Sequence, residues 1–445
     1  MVCNFRRNFA SEFENKHNMR TRHLLASILL ALPTVLMAQA VTIDECQKAA
    51  RENYPLIKRY DLIAKTTDLT VSNLNKQWLP QVGASAQATY QSDVMTLPDA
   101  LKEMLEQRDY DVKGLKKDQY RVALNVDQNI WDGGRISSQK EVAKAQGEVD
   151  KAQNDVNLYT VAQRVNELYF GVLTVDERLK INNDLQTLLQ SDLDKLNAMY
   201  KGGTAMRSDV SSIKAEKLNA EQQATDLKAT RQSLLRVLSV FCGIDNISAV
   251  SKPSVVTTVG NGNNRPELQL VDAQLKLADA QEKQLKANLM PRLSAFAQGY
   301  YGYPGYDMFH DMFHRDWSLN GTVGLRLTWN IGALYTNKND RAKIQNQRDM
   351  AENYRETFLF NNRLKEIQQN EDIQKYRSMM KEDSEIVDLR RDVRQAAESK
   401  LNHGIIDTNN LLQEINRENT AKNNMSIHEV QMLKQMYDLK YTLNN

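Results

Sequence analysis

The chain has little of several things, and each shortage excludes something. Three cysteines in 445 residues, Cys3, Cys46 and Cys242, make neither a disulfide framework nor a zinc-ligand spacing. No run of about 20 apolar residues is present, so a bundle of membrane-crossing helices is excluded. Charge of one sign is missing as well. With 58 basic and 56 acidic groups the net charge is +2, so nothing favours nucleic acid, which selects a basic face. Proline is the most informative shortage. There are eight, none between Pro98 and Pro253 and none after Pro304, and Gly404 is the only glycine after Gly332. Two stretches of roughly 140 to 150 residues therefore lack the strongest helix breaker, whereas an ordinary α/β domain is interrupted every ~10 to 20 residues.

The first forty residues look like an address. Met19-Arg20-Thr21-Arg22-His23 is basic, Leu24 to Met37 is apolar, and Ala38-Gln39-Ala40 offers small residues around a cleavage point. This pattern predicts a secretory signal peptide over 19–40, with 1–18 an extension or a mis-assigned start. The exported chain then begins near Val41. Cys46 lacks the Leu-containing cluster of a lipid anchor site. No membrane helix remains, so entry into a bilayer requires a closed β-barrel.

The sequence repeats itself. Pro55 and Pro80 are matched by Pro266 and Pro291, both 211 positions on, and Ala84, Ala86, Gln87 and Tyr90 match Ala295, Ala297, Gln298 and Tyr301 at the same offset. Trp131-Asp132-Gly133-Gly134 then matches Trp329-Asn330-Ile331-Gly332, and Gly203 matches Gly404. The expected organisation is repeat 1 over 41–250, a linker over 251–264 and repeat 2 over 265–445.

Within each repeat the periodicity changes. Residues 44 to 77 read as helix, with Asp44 as the expected cap. Period two follows: Val82, Ala84, Ala86, Ala88 and Tyr90; then Tyr120, Val122, Leu124, Val126 and Ile130, with Gln128 interrupting the apolar face; then 293–301; then Leu319, Val323, Leu325, Leu327 and Trp329. Four strands of about ten residues have the length of tilted barrel strands. The polar alternates Arg121, Asn125, Asp127, Asn320 and Arg326 are expected on the lumen side. All four tryptophans, Trp78, Trp131, Trp317 and Trp329, fall at strand ends, where interfacial girdles form. A soluble β-sandwich would show the same alternation.

Heptads take over after each tryptophan–glycine exit. Val142, Val149 and Val156 run beside Ala145, Ala152 and Tyr159; Ile386 and Val393 run beside Leu389 and Ala396. They predict coiled-coil helices over 135–200 and 333–401, about 100 Å long, with these residues in the core. Gly202-Gly203 and Gly404 end them, and return helices follow over about 206–241 and 407–442.

The duplicated series of helix, hairpin, long helix, glycine turn and return helix resembles the TolC-like outer membrane efflux protein family. The residues that carry the resemblance are Trp131-Asp132-Gly133-Gly134-Arg135, Asn264-Arg265-Pro266-Glu267-Leu268, Tyr200-Lys201-Gly202-Gly203 with Asp209, and His403-Gly404 with Asn410-Leu411-Leu412. The resemblance spans 42–442. It implies an α+β membrane protein: a homotrimer whose three sets of four strands close a 12-stranded β-barrel in outer-membrane lipid, continued by a helical coiled-coil tube through the periplasm. It further implies a passive export duct for efflux or type I secretion, opened at its periplasmic tip by an adaptor (membrane fusion) protein and an inner-membrane RND or ABC transporter, with no cofactor. The tip residues it implies are Gly203, Arg207, Asp209, Gly404, Asp407, Asn410 and Gln413. Asn410 and Gln413 stand where the family often has acids, which argues against a strongly cation-selective gate. Asp209 and Asp407 also suit plain helix N-terminal positions.

Other candidates are weaker. His310 and His314 are four apart, with Asp307 and Asp311 near, and a metal would need them on one helical face; an amphipathic turn in the hairpin loop explains them equally. His428-Glu429 has no second histidine. No nucleophile sits in a catalytic motif, so an enzyme is not expected. The rival class is a periplasmic coiled-coil scaffold or adaptor, which needs the long helices but not the strands.

Overall fold

The computed structural model describes residues 40–255 and 263–444. The expected N-terminal extension, all but the last residue of the expected signal peptide, and residues 256–262 of the expected linker lie outside the described residues.

Helix α1 spans Ile43–Asn53. Its cap is Thr42, not Asp44: the Thr42 hydroxyl accepts from the Glu45 N–H and the Glu45 carboxylate accepts from the Thr42 N–H. This reciprocal box satisfies two orphan donors at once, which Asp44 cannot do. Asp44 pairs instead with Lys440 at 3.2 Å. The single helix expected over 44–77 is also interrupted. Pro55 has no N–H to continue the ladder, so the chain takes a 3₁₀ turn over Pro55–Lys58 before α2, Arg59–Lys76.

Strand β1 (Gln81–Tyr90), the short α3 (Asp99–Glu106) and β2 (Asp118–Trp131) form the first hairpin. Then come α4, 67 residues from Arg135 to Lys201, and the return helix α5, Arg207–Cys242. The order recurs with α6 (Pro266–Asn288), β3 (Arg292–Tyr303), α7 (Met308–His314), β4 (Ser318–Thr328), α8, 70 residues from Ala333 to Asn402, and α9 (Thr408–Leu443). At 1.5 Å per residue the long helices are about 100 Å each. Among the described residues no helix is long and apolar enough to cross a membrane.

The four strands make one antiparallel sheet in the order β1-β2-β3-β4. Strands β2 and β3 therefore join the two hairpins, and β1 and β4 are its edges. The helices pack as α4 on α5, α6 and α9, and α8 on α9 and α6. The main core lies where α1 docks on α4 and α5, around Ile43, Ala50, Val165, Tyr169, Phe170 and Leu238. The Tyr169 hydroxyl lies 2.9 and 2.6 Å from the carbonyl oxygens of Val41 and Ser251, holding the two ends of the first repeat together. Burial pushes this phenol up to about 12.

The heptad reading holds for α4 and fails for α8. Val149 and Val156 pack with Ala152, Leu270 and Ala273 between α4 and α6. On α8 the buried positions are Ala351, Asn362, Ile373, Asp383, Val387 and Ala397. Ile386, Leu389, Val393 and Ala396, expected in the core, are exposed. Helix α8 thus carries two apolar stripes, and a single chain covers only one.

The Arg265-Pro266-Glu267 motif has a physical basis. Pro266 opens α6 at a position that needs no N–H. Arg265 is buried against Tyr159 and Tyr441, its guanidinium carbon 4.5 and 4.7 Å from the ring centres, and its Nε donates to Glu267 at 2.9 Å. Its Nη1 donates to the Tyr441 carbonyl, so one arginine ties the start of α6 to α4 and α9.

Candidate functional site: the sheet and the helical tip

The register assigns every strand residue to one of two faces. Val82, Ala84, Ala86 and Ala88 pair with Val126, Leu124, Val122 and Tyr120. Those meet Ala297, Gly299, Tyr301 and Tyr303 of β3, and β3 presents Leu293, Ala295, Ala297 and Tyr301 to Leu327, Leu325, Val323 and Leu319 of β4. This face is apolar and open: Leu319, Val323, Leu325 and Leu327 are 82, 81, 69 and 70% exposed. Gln128 interrupts it because it has another task, its amide donating to the Trp78 carbonyl at 2.7 Å where the chain enters β1.

The opposite face gathers all five polar residues named from the sequence. Gln298 donates to Asn125 at 2.6 Å. Arg326 reaches Asp127, and its guanidinium carbon lies 4.6 Å from the Phe296 ring centre. Arg121 lies 4.4 Å over Tyr300. Asn320 accepts from the Tyr306 N–H at 2.7 Å, fastening the β3–β4 loop.

The tryptophans divide between the two ends of the sheet. Trp78 precedes β1, Trp131 closes β2 and Trp329 follows β4, so three ring the helix-proximal end. The Trp329 indole donates to the Leu289 carbonyl at 3.0 Å. Trp317 stands at the loop end, stacked on Tyr120 at 6.1 Å and beside Tyr301 at 5.4 Å. From the sequence, Tyr120 and Tyr301 read as strand and repeat residues, not as partners of Trp317 at that rim. At the loop end, His310 and His314 share a face of α7, as four-residue spacing requires, but their rings stack on each other at 4.3 Å. No group of three or more His, Cys, Asp or Glu able to hold a metal occurs among the described residues.

At the far end of the long helices the two tips have one design. Gly203 (φ +80°) and Gly404 (φ +69°) take the left-handed conformation that ends α4 and α8. The next N–H groups, of Thr204 and Ile405, reach back to the carbonyls of Met199 and Lys400 at 2.9 Å each. Asp209 then accepts from the Met206 N–H, and Asp407 from the Asn410 N–H, both at 2.9 Å. Asp407 is therefore the N-cap of α9, while Asp209, in the first turn of α5, reaches back to the N–H of its N-cap Met206. Arg207, Asn410 and Gln413 are exposed. Leu185, Leu189, Ala220, Ala397, Leu411 and Ile415 form the core behind them, joining all four helices.

A charged cluster that the sequence did not reveal lies behind the tips. Buried Glu418 of α9 accepts from Arg394 of α8 at 2.5 Å and pairs with Lys422 at 2.7 Å. Arg394 also holds Glu398 at 2.9 Å, and Glu398 pairs with Lys195 of α4. Burial pushes the Glu418 carboxyl up, but the bonds from Lys422 and Arg394 outweigh it, and the group ends below the usual range. Nearby Asp192 is raised, chiefly by burial and then by the Glu398 charge. Its Oδ2 has no hydrogen-bond partner among the described residues. These residues come from three helices distant in sequence, so no local spacing announces the cluster.

Strands of about ten residues with an open apolar face are thus set on helices about 100 Å long. The profile of the outer membrane efflux protein family matches residues 49–243. No curated protein matches the sequence. Among solved structures, the outer-membrane channel OprN superposes with a TM-score of 0.65 at 15% identity, covering 90% of this chain and 89% of its own. The outer membrane protein VceC from Vibrio cholerae gives 0.65 at 12%, with 91% and 96% covered. The MtrE outer membrane channel of Neisseria gonorrhoeae, solved in its open state, gives 0.63 at 14%, with 91% and 89% covered. The profile thus covers residues 49–243, and the likeness in fold to these channels extends over about 90% of the chain.

Proposed function

We propose that three copies of this chain form a passive export duct, with the sheets closed into a 12-stranded barrel in the outer membrane and the helices forming the tube below. The observation that carries this reading is the sheet. It has two unpaired edges and one face of exposed Leu, Val and Ala, and in lipid an open edge costs several kcal/mol for each unpaired backbone group. Pairing β4 of one copy with β1 of the next removes every edge. The second apolar stripe of α8, with Ile386, Leu389 and Val393, supports the same assembly, because a neighbouring copy would cover it. In this arrangement Arg121, Asn125, Asp127, Asn320 and Arg326 line the lumen, the tryptophans sit at the lipid interfaces, and the glycine-turn tips converge at the periplasmic mouth. Arg207, Asp209, Asp407, Asn410 and Gln413 then each occur three times around the axis. A periplasmic adaptor and an inner-membrane RND or ABC pump engage the tips and supply the energy. The chain acts as a conduit and catalyses nothing.

The test is membrane fractionation followed by crosslinking in the native cell. The expected result is an outer-membrane species three chains in mass that copurifies with an adaptor. Recovery as a monomeric, soluble periplasmic protein would overturn the proposal and favour a coiled-coil scaffold.

A further inference from the structure

Cys46 and Cys242 stand 196 positions apart in sequence but meet in space. Cys46 lies in α1, and Cys242 is the last residue of α5. Both are fully buried, at 0 and 2% exposure, in the core that docks α1. The Cys242 thiol donates to the Cys46 backbone carbonyl at 3.4 Å, and both residues are free thiols. The sequence leaves two readings open, a pair if the fold brings them together or two separate buried thiols; the fold makes them neighbours. Their surroundings include Ile43, Ala50, Tyr169 and Leu238. The third cysteine, Cys3, precedes the expected cleavage after Ala40. An exported chain therefore holds two cysteines, and they face one another.

We propose that Cys46 and Cys242 are an oxidation site that closes into a disulfide when the chain is exported, stapling α1 to the end of α5. The inference rests on the export reading above, because disulfides persist outside the cytoplasm and are rare within it. The oxidant is the disulfide of a thiol–disulfide exchange protein. One cysteine, as thiolate, attacks a sulfur of that disulfide and forms a mixed disulfide, releasing one donor thiolate. The other cysteine, as thiolate, attacks the mixed disulfide at the first cysteine's sulfur and releases the second donor thiolate. Two protons leave the chain, and two electrons reduce the donor to its dithiol. The order of events follows from the packing. Both cysteines are buried in the docked core, out of reach of an exchange protein's disulfide. Oxidation therefore precedes the docking of α1. The bond closes the chain from its first exported helix to the end of its first return helix, so nearly all of repeat 1 lies within one covalent loop.

The test uses the full chain isolated from outer membranes. It is denatured without reductant in the presence of iodoacetamide, digested and examined by mass spectrometry. The expected product is a Cys46 peptide joined to a Cys242 peptide, two hydrogens lighter than the separate thiol peptides, split by reductant and absent from the Cys46→Ser chain. Outer-membrane protein in which both cysteines are alkylated would overturn this inference and leave the export reading standing. Protein retained in the cytoplasm with free thiols would overturn both. The wild-type readout needs no variant to fold, so it decides the question even where a Cys46→Ser chain fails to accumulate.

Discussion

Arg326 of β4 reaches across β3 to Asp127 of β2, Nη1 to Oδ1 3.6 Å. Both side chains are about half exposed, so the pair contributes less than about 1 kcal/mol to stability. Its expected importance is to the ions that pass it. In a trimer the pair recurs three times around the lumen, and removing the cation leaves a ring of carboxylates. Arg326→Gln should raise cation over anion permeability in planar bilayers while leaving the melting temperature unchanged. An unaltered permeability ratio would place the pair off the conduction path.

Charge and capping can be separated at the tips. At the N-cap held by Asp407, Asn accepts the hydrogen bond about as well as Asp, whereas Ala forfeits roughly 1 kcal/mol. Asp209→Asn with Asp407→Asn keeps the bonds to the N–H groups of Met206 and Asn410 and removes the charge. If the carboxylates constrict the mouth, this double variant raises single-channel conductance as much as the double alanine does. If only the alanines raise it, the helix ends themselves form the barrier. Unchanged conductance in both would remove the two acids from the gate.

Glu418 and Asp192 respond to pH in opposite senses. The folded Glu418 lies below its unfolded value, so its contribution is present above the ordinary carboxylate range and lost as pH falls through its lowered value. Asp192 is raised in the fold, so its contribution is present in acid and lost as pH rises. Glu418→Ala leaves Arg394 with Glu398 alone and should cost about 3 kcal/mol at neutral pH, the low end for breaking a buried pair. Asp192→Asn should be neutral or stabilising at the same pH. Thermal melts of both variants at neutral and acid pH test the assignment; equal losses for the two would refute it.

The two strand-to-helix exits match in sequence but differ in backbone. Gly133 and Gly134 have φ of +67° and +85°, and a Cβ on Gly133 would fall on Met290. Asp132 is buried there, its carboxylate accepting from the N–H groups of Gly134 and Ile136 at 2.9 and 2.6 Å. Gly332, the partner of Gly134 in the repeat, has an ordinary helical φ of −59°. Gly133→Ala should therefore cost about 1 to 3 kcal/mol in backbone strain, besides displacing Met290, whereas Gly332→Ala should be tolerated. Yields of assembled protein from outer membranes would show the contrast.

Local signals were legible because they depend on neighbours in sequence. Strand alternation, the glycine turns and the long helices follow from periodicity and from where Pro and Gly are missing. The five polar strand residues shared a face because period two left no other arrangement. What escaped the sequence depended on distant partners. Thr42 outcompeted Asp44 because Glu45 could complete its box. Ile386 and Leu389 read as core because a heptad does not say which helix will cover it. The Arg394–Glu418 cluster needed three helices brought side by side, and the meeting of Cys46 with Cys242 needed the whole first repeat to close.

The sheet's two edges are not alike. One is β1, from the first repeat, and the other is β4, from the second. Each seam of a closed ring therefore joins unlike partners, head to tail, and no pair of subunits is complete on its own. In the proposed ring of three, a chain damaged at either edge spoils every ring it enters. In a cell making sound and damaged copies equally, only about one ring in eight would be wholly sound, since three independent draws must all succeed. Lesions in β1 or β4 should then behave as dominant, while lesions that prevent folding altogether should be recessive.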